Sequence, residues 1–250
     1  MRRVLSRNRS SVDEENPYWI TFSDIMAGLL VIFILASIVF IMELIQKSEQ
    51  WDEAIKEIAK AEEVRKNILQ EIETELREKN IPVEVIDNDT VLRIPEHVLT
   101  FDQGSSDLPA DESIREVAQE IGNVLYQAIS FENRWQYLDT IFVEGHTDPA
   151  PYNNRMLKGN WGLSTLRAIS LWQFWNEKMP EGKRLDELQN HSDKKLFSVS
   201  GYADTRRSCG LDCNDEQLQL SYQQDRRIDI RFTVRRPAVE EYQSVREVLN

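Results

Sequence analysis

IMAGLLVIFILASIVFIM, residues 25–42, carries no charge and no proline. At about 1.5 Å per helical residue it covers roughly 27 Å, close to the ~30 Å hydrocarbon core of a bilayer. Ile20–Ser23 upstream lengthen it. A buried helix of a soluble domain is the plainer alternative, and a signal peptide is another. The stretch is long for the apolar region of a signal, and no A-x-A cleavage site follows it. The expectation is one transmembrane helix over 20–45, with a tail over 1–19 before it. Arg2, Arg3, Arg7 and Arg9 precede the span, whereas Glu43, Glu49, Asp52 and Glu53 outweigh Lys47 after it. The positive-inside rule then places the N-terminus in the cytoplasm and everything beyond about residue 45 outside, which in a bacterium is the periplasm.

Composition sets the outer limits. The chain has 250 residues and a net charge of −13, with only two cysteines. That acidity argues against a general nucleic-acid binder, which needs clustered Lys and Arg. The mean hydropathy of −0.50 excludes a polytopic membrane protein. Two cysteines exclude a disulfide-dense scaffold and a four-cysteine zinc site. His97, His146 and His191 are scattered, so no metal site is expected, and no cofactor fingerprint occurs.

Asp24 stands at the cytoplasmic entrance of the span, in PYWITFSD (17–24). A carboxylate there is costly unless it faces a partner helix or a watery path. A carboxylate in low dielectric takes up a proton more readily, which makes Asp24 a candidate ion-translocating residue. The competing reading is an interfacial or capping aspartate that reaches to the headgroups. Tyr18 and Trp19 fit an interfacial aromatic belt.

Residues 46–82 form a charged helical connector. Trp51, Ile55, Ile58, Leu69, Ile72 and Leu76 fall on the a and d positions of one heptad frame, interrupted by Glu62 and Arg65. That stripe suits pairing with a second copy of the chain, or packing on the domain that follows. Asn80-Ile81-Pro82 ends the helix.

From residue 83 the texture becomes α/β. Strands are expected at Val83–Ile86, Val91–Ile94, Leu138–Val143, Leu196–Ser200 and Arg227–Val234. Helices are expected at Ala110–Ile129 and Asn160–Met179, and a short charged helix is a candidate in the tail 237–250. The fold class is α+β, ending in a two-layer α/β sandwich over 83–236. Polar groups gather where strands end: Gly145-His-Thr-Asp148, the helix opening at Asn160, Gly201-Tyr-Ala-Asp204, and Asp225-Arg-Arg227. An aspartate and an arginine in one site suit a zwitterion: Asp148 would face an ammonium and Arg167 would fork onto a carboxylate. A salt bridge between the two is the commoner outcome. His146 reads as structural, holding the GHTD loop. Trp161, Trp172 and Trp175 read as packing residues. No nucleophile and base stand together, so no enzyme is expected. Cys209 and Cys213 lie in CGLDC, where a periplasmic disulfide competes with two free thiols because the spacer is short.

VLRIPEHVLTFDQGSSDL, VEGHTD, N-x-x-LS-x-x-RA and DRRIDIRF together resemble the OmpA-like peptidoglycan-binding domain, over about residues 83–236. The resemblance implies that Asp148 and Arg167 grip the diaminopimelate of the peptidoglycan stem peptide, with Asn160 and Leu163 shaping the pocket. Three features depart from the family pattern. The loop Pro149–Gly159 is longer, Tyr202-Ala203 replaces a G-x-G turn, and Asp225 replaces an asparagine.

Such a domain behind one uncleaved span with W-I-x-x-x-D at its start is similar to MotB-like stator B subunits. In that family Asp24's counterpart carries protons, and residues 46–60 match the place of a plug. The run PYWITFSDIMAGLLVIFIL and the DRR ending look most similar to the B subunits of the Zorya anti-phage defence system. Implied partners are a ring of MotA/ZorA-like membrane subunits, taken as a pentamer around a dimer of this chain, the diaminopimelate-bearing stem peptide, and indirectly cytoplasmic defence effectors. A flagellar-type stator, a passive tether from inner membrane to wall and, more remotely, a peptidoglycan-acting enzyme are the alternatives.

Overall fold

The computed structural model describes residues 17–152, 158–209 and 215–236. Contacts divide the chain into two units, Met1–Glu53 and Ala54–Asn250. Helix α1, Pro17–Glu78, runs through both. In the first unit α1 carries a stretch long and apolar enough to cross a membrane. Leu29, Phe33, Val39 and Met42 are all more than half exposed, so no described residue of the chain covers them. The Ser37 hydroxyl donates back to the Phe33 carbonyl at 2.7 Å, which keeps its polar group inside the helix.

The second unit begins inside the connector. Ile68, Leu69, Ile72 and Leu76 are fully buried, in the same core as the sheet. The a/d stripe therefore divides: its C-terminal half covers the chain's own domain and is unavailable to a second copy, while Trp51 and Ile55 stay exposed. The helix stops at Asn80, whose φ is 61°. Ile81 N–H donates to the Leu76 carbonyl (2.9 Å) and Asn80 N–H to that of Arg77 (3.0 Å), the pair of bonds that closes a Schellman motif. The left-handed asparagine terminates α1 before Pro82 is reached.

Five strands follow: β1 Glu84–Ile86, β2 Val91–Pro95, β3 Leu138–His146, β4 Phe197–Gly201 and β5 Arg227–Val234. Their order is β1-β2-β5-β3-β4, with β3 and β4 parallel and every other pair antiparallel. Helices α2 (Glu112–Ser130) and α3 (Asn160–Lys178) match the expected spans within two residues. Asp111 caps α2 by accepting the Ser113 N–H at 2.8 Å. Alternation along the strands places Leu92, Ile94, Ile141, Val143, Ile228, Ile230 and Phe232 in the core with α2, α3 and the end of α1. The fold is α+β: a long helix, apolar at its N-terminal end, then a mixed sheet layered with helices.

Between β3 and β4 the sheet carries glycine on both strands, Gly145 opposite Gly201. A Cβ on Gly201 would lie 2.2 Å from the Thr165 hydroxyl, so α3 approaches this edge more closely than any side chain permits. One helix was not expected, α4 (Asp215–Asp225). Its apolar residues are few and not at helical spacing. Ser221, buried on its inner side, returns its hydroxyl to the Leu218 carbonyl. Cys213 and the tail 237–250 lie outside the described residues, and so do the candidate bridge to Cys209 and the candidate tail helix.

Candidate functional site

Strand register assembles the site. In the centre of the sheet, Arg227 of β5 is opposite Pro95 of β2 on one side and His146 of β3 on the other. The neighbouring residues at these three ends are Arg226, Glu96 and the Thr147-Asp148 pair. One guanidinium is thereby placed between two carboxylates. Arg226 donates to Glu96 through Nε (2.5 Å) and Nη2 (2.7 Å), and to Asp148 Oδ2 through Nη1 (2.5 Å). The bidentate bond to Glu96, ahead of that to Asp148, holds the Arg226 guanidinium above its ordinary pKa.

The loop after β3 is fixed from several sides. Asp148 Oδ1 accepts the Ala150 N–H at 3.0 Å. Asn160, the first residue of α3, donates its amide to the carbonyls of Asp148 (3.3 Å) and Ala150 (3.1 Å). Thr147 N–H donates to the Ala203 carbonyl at 2.9 Å, and Ala203 N–H to the Ser164 hydroxyl at 3.0 Å. Ala203 holds a φ of 50°, a left-handed conformation that explains why a glycine suits the G-x-G form of this turn.

Arg167 comes up from α3 beneath the loop after β2. Its Nε donates to the Ser105 carbonyl (2.9 Å), its Nη2 donates to that of Asp102 (3.2 Å), and its plane lies 5.2 Å from the Phe101 ring. Burial lowers the Arg167 pKa, opposed by the charges of Glu96 and Asp148. Two of its five donors are used on this loop, so its fork is anchored and three N–H groups remain.

These groups line one cleft of about 570 Å³ that includes Asp148, Asn160, Leu163 and Arg167, and with them Glu96, Phe101, Tyr152 and Arg226. All four residues singled out from the sequence as ligand contacts thus share a single cavity. Arg226 and Glu96 were not singled out, although each lies within a quoted motif, DRRIDIRF and VLRIPEH. Nothing in the local sequence marks Tyr152. Part of the long loop Pro149–Gly159 lies outside the described residues. Asp24 belongs to the first unit, exposed on α1.

Beneath the cleft is a buried ionic layer. Asp229 accepts Arg93 through both oxygens (3.0 and 3.1 Å) and Arg227 Nε at 3.1 Å. Burial alone would raise the Asp229 pKa, but Arg93 and Arg227 hold it below the usual carboxylate value. Glu144, fully buried, accepts Arg231 at 3.0 Å and Arg206 at 3.2 Å. His146 stacks on Tyr202 with centroids 5.4 Å apart, and among the described residues neither ring nitrogen makes a hydrogen bond, although Nε2 lies 3.4 Å from Asp229 Oδ2. Burial, followed by the charge of Arg227, pushes its imidazole down to about 3. His146 is neutral packing, and the GHTD loop is held by Arg226 and Asn160 rather than by this histidine. Asp225 accepts the Ser208 N–H at 2.5 Å. Trp175 is buried with Nε1–H on the Ala118 carbonyl, Trp172 stacks on Phe197, and Trp161 is exposed.

Two formal negative charges, Glu96 and Asp148, face two positive ones, Arg167 and Arg226. A charge-balanced cleft, with Arg226 paired to both carboxylates and Arg167 bonded to loop carbonyls instead, suits a zwitterionic ligand. Among the described residues, no group of three His, Cys, Asp or Glu side chains could hold a metal ion.

No family model matches the chain. A curated relative, the uncharacterized protein YtxE of Bacillus subtilis, is 23% identical over 257 residues, covering 91% of this chain and 93% of that protein. Among solved structures, a MotB-like protein from Desulfovibrio vulgaris aligns with a TM-score of 0.49 at 18% identity, over 71% of this chain and 99% of the other. The cell wall anchor of the T6SS from Pseudomonas aeruginosa aligns at 0.44 and 20%, over 67% and 97%. The periplasmic domain of Helicobacter pylori MotB aligns at 0.41 and 17%, over 65% and 85%.

Proposed function

We propose that this chain is the wall-anchored B subunit of an ion-driven inner-membrane motor, with its C-terminal domain binding peptidoglycan in the periplasm. The observation that carries the binding half is the convergence of Asp148 and Arg167 in one charge-balanced cleft. A diaminopimelate side chain ends in an ammonium and a carboxylate on one carbon. Asp148 would take the first and the remaining Arg167 donors the second. Anchoring of Arg167 by the Asp102 and Ser105 carbonyls supports this assignment, since a pre-oriented fork loses less freedom on binding.

The motor half rests on the apolar stretch of α1 and on Asp24 at its start. In this proposal the N-terminus is cytoplasmic, two copies stand inside a ring of MotA/ZorA-like subunits, and cycling of a proton on Asp24 drives rotation of that ring. Within this class, the motif pattern favours a Zorya-type role in anti-phage defence over flagellar rotation.

Retention of the full-length chain, in detergent, on purified peptidoglycan sacculi tests the binding half. Wild type is expected to sediment with sacculi and Arg167→Ala to remain in solution. Equal retention of the two would overturn the cleft assignment.

A further inference from the structure

One arginine shared by two carboxylates raises a question that the ligand assignment leaves open. Asp148 can attract a ligand ammonium only if Arg226, 2.5 Å away, does not already neutralise it. Arg226 is held more firmly elsewhere, since it grips Glu96 with two hydrogen bonds and Asp148 with one. The three side chains are mostly buried, at 29% exposure for Arg226, 22% for Glu96 and 15% for Asp148. Charge pairing there is only weakly screened by solvent.

We infer that Glu96 is a specificity-determining residue: by holding Arg226 it keeps the negative charge of Asp148 available for a ligand cation. This presupposes that the cleft binds an ammonium-bearing stem peptide. With Glu96 present, Arg226 fixes the Asp148 rotamer through Oδ2 while Ala150 N–H fixes Oδ1. Among the described residues, each oxygen keeps a further lone pair for a ligand. Without Glu96, the Arg226 fork has Asp148 as its remaining carboxylate partner and pairs with it bidentately, which closes the site to a second cation. Glu96 thus acts through Arg226 without touching the ligand. Its removal costs ammonium recognition specifically, and simultaneous removal of Arg226 restores part of it.

The test measures binding of the full-length protein to two synthetic stem tetrapeptides, one with the free diaminopimelate side-chain ammonium and one N-acetylated there. Wild type is expected to prefer the free ammonium. Glu96→Gln is expected to weaken that binding roughly tenfold while leaving the acetylated peptide unchanged. Glu96→Gln/Arg226→Gln is expected to recover part of the loss, since Ala150 N–H and Asn160 still hold Asp148 and its loop, and Glu96→Asp, which keeps the charge, to stay near wild type. The double variant carries no unpaired arginine, so it stays informative even if Glu96→Gln folds poorly. Binding by Glu96→Gln within about twofold of wild type overturns the inference and leaves the peptidoglycan assignment standing. So does a double variant as weak as Glu96→Gln. Wild type that binds neither peptide nor sacculi overturns both.

Discussion

Gly145 of β3 backs directly onto Ser164 of α3: a Cβ on that glycine would lie 1.9 Å from the Ser164 carbonyl oxygen. The clash is with backbone, which cannot rotate aside, so Gly145→Ala must push α3 off the sheet. Overpacking of this kind costs about 2–3 kcal/mol, a fall of roughly 5–10 °C in Tm for a unit of this size. Because Arg167 and Asn160 ride on α3 and Asp148 on the loop after β3, retention on sacculi should fall as well. Thermal unfolding and sedimentation of Gly145→Ala beside wild type measure both.

Ala203 offers the opposite sign. Its φ of 50° costs a Cβ-bearing residue energy that a glycine does not spend. Ala203 is buried, but its own methyl is small, so the cavity left is slight. Ala203→Gly is expected to raise stability by about 0.5–1 kcal/mol, after allowing for the extra freedom glycine has when unfolded. A lower Tm for Ala203→Gly would show that the methyl's packing outweighs the strain.

His146 makes the domain acid-sensitive. Burial holds its folded pKa at about 3, against about 6.5 for a solvated imidazole. The unfolded chain therefore binds the proton first. Stability is complete above about pH 6.5 and falls as pH drops toward 3, by up to about 1.4 kcal/mol per pH unit. His146→Phe keeps a ring against Tyr202 and loses no hydrogen bond, since neither nitrogen makes one. Its stability, referred to its own value at pH 7, should be flatter between pH 6 and 4 in urea titrations. Equal slopes for the two proteins would locate the acid sensitivity elsewhere.

The heptad stripe of the connector predicts a division of labour. Ile72 is fully buried in the domain core, whereas Ile55 is 62% exposed. Ile72→Ala should cost about 2–5 kcal/mol. Ile55→Ala should stay within about 0.5 kcal/mol in stability and affect only association between copies. Denaturant unfolding with cysteine-free crosslinking separates the two effects.

That stripe also shows where the sequence was legible and where it was not. Apolar spacing identified a face at Leu69, Ile72 and Leu76, yet spacing alone does not say what covers it, and the cover is the chain's own sheet. Alternation marked the strands at Val83–Ile86, Val91–Ile94 and Arg227–Val234, where Leu92 and Ile94, and Ile228 and Ile230, share an apolar face, whereas β-forming residues marked Leu138–Val143. Asp148 and Arg167 could be paired because they sit in short motifs at a strand end and a helix start, and Asn160 and Leu163 joined them through the family resemblance. Glu96 and Arg226 could not. Their meeting depends on β5 lying between β2 and β3 with Arg227 opposite both Pro95 and His146, a register that a sequence separation of 130 does not disclose. Helix α4 escaped because its sequence, DEQLQLSYQQD, carries no sustained apolar stripe.

Asp24 separates a motor from a tether. It lies one residue before the charge-free stretch, on the part of α1 whose apolar side chains no described residue covers. Inside a ring of partner helices, its carboxylate would be the charged group nearest the start of that stretch, and Asn would match its shape while refusing the proton. Asp24→Asn is therefore expected to assemble at wild-type membrane level and to sediment with sacculi, because the cleft residues are untouched. On the proposed defence role, wild type protects against phage in cells carrying the native neighbouring genes, and Asp24→Asn should lose that protection. Plating efficiency, with membrane level measured in the same cells, reads this directly. Protection that survives Asp24→Asn would leave a wall-anchored scaffold without ion-driven rotation. Wild type that gives no protection, but supports motility or ion flux lost in Asp24→Asn, would keep the motor and move it from defence to a flagellar-type role.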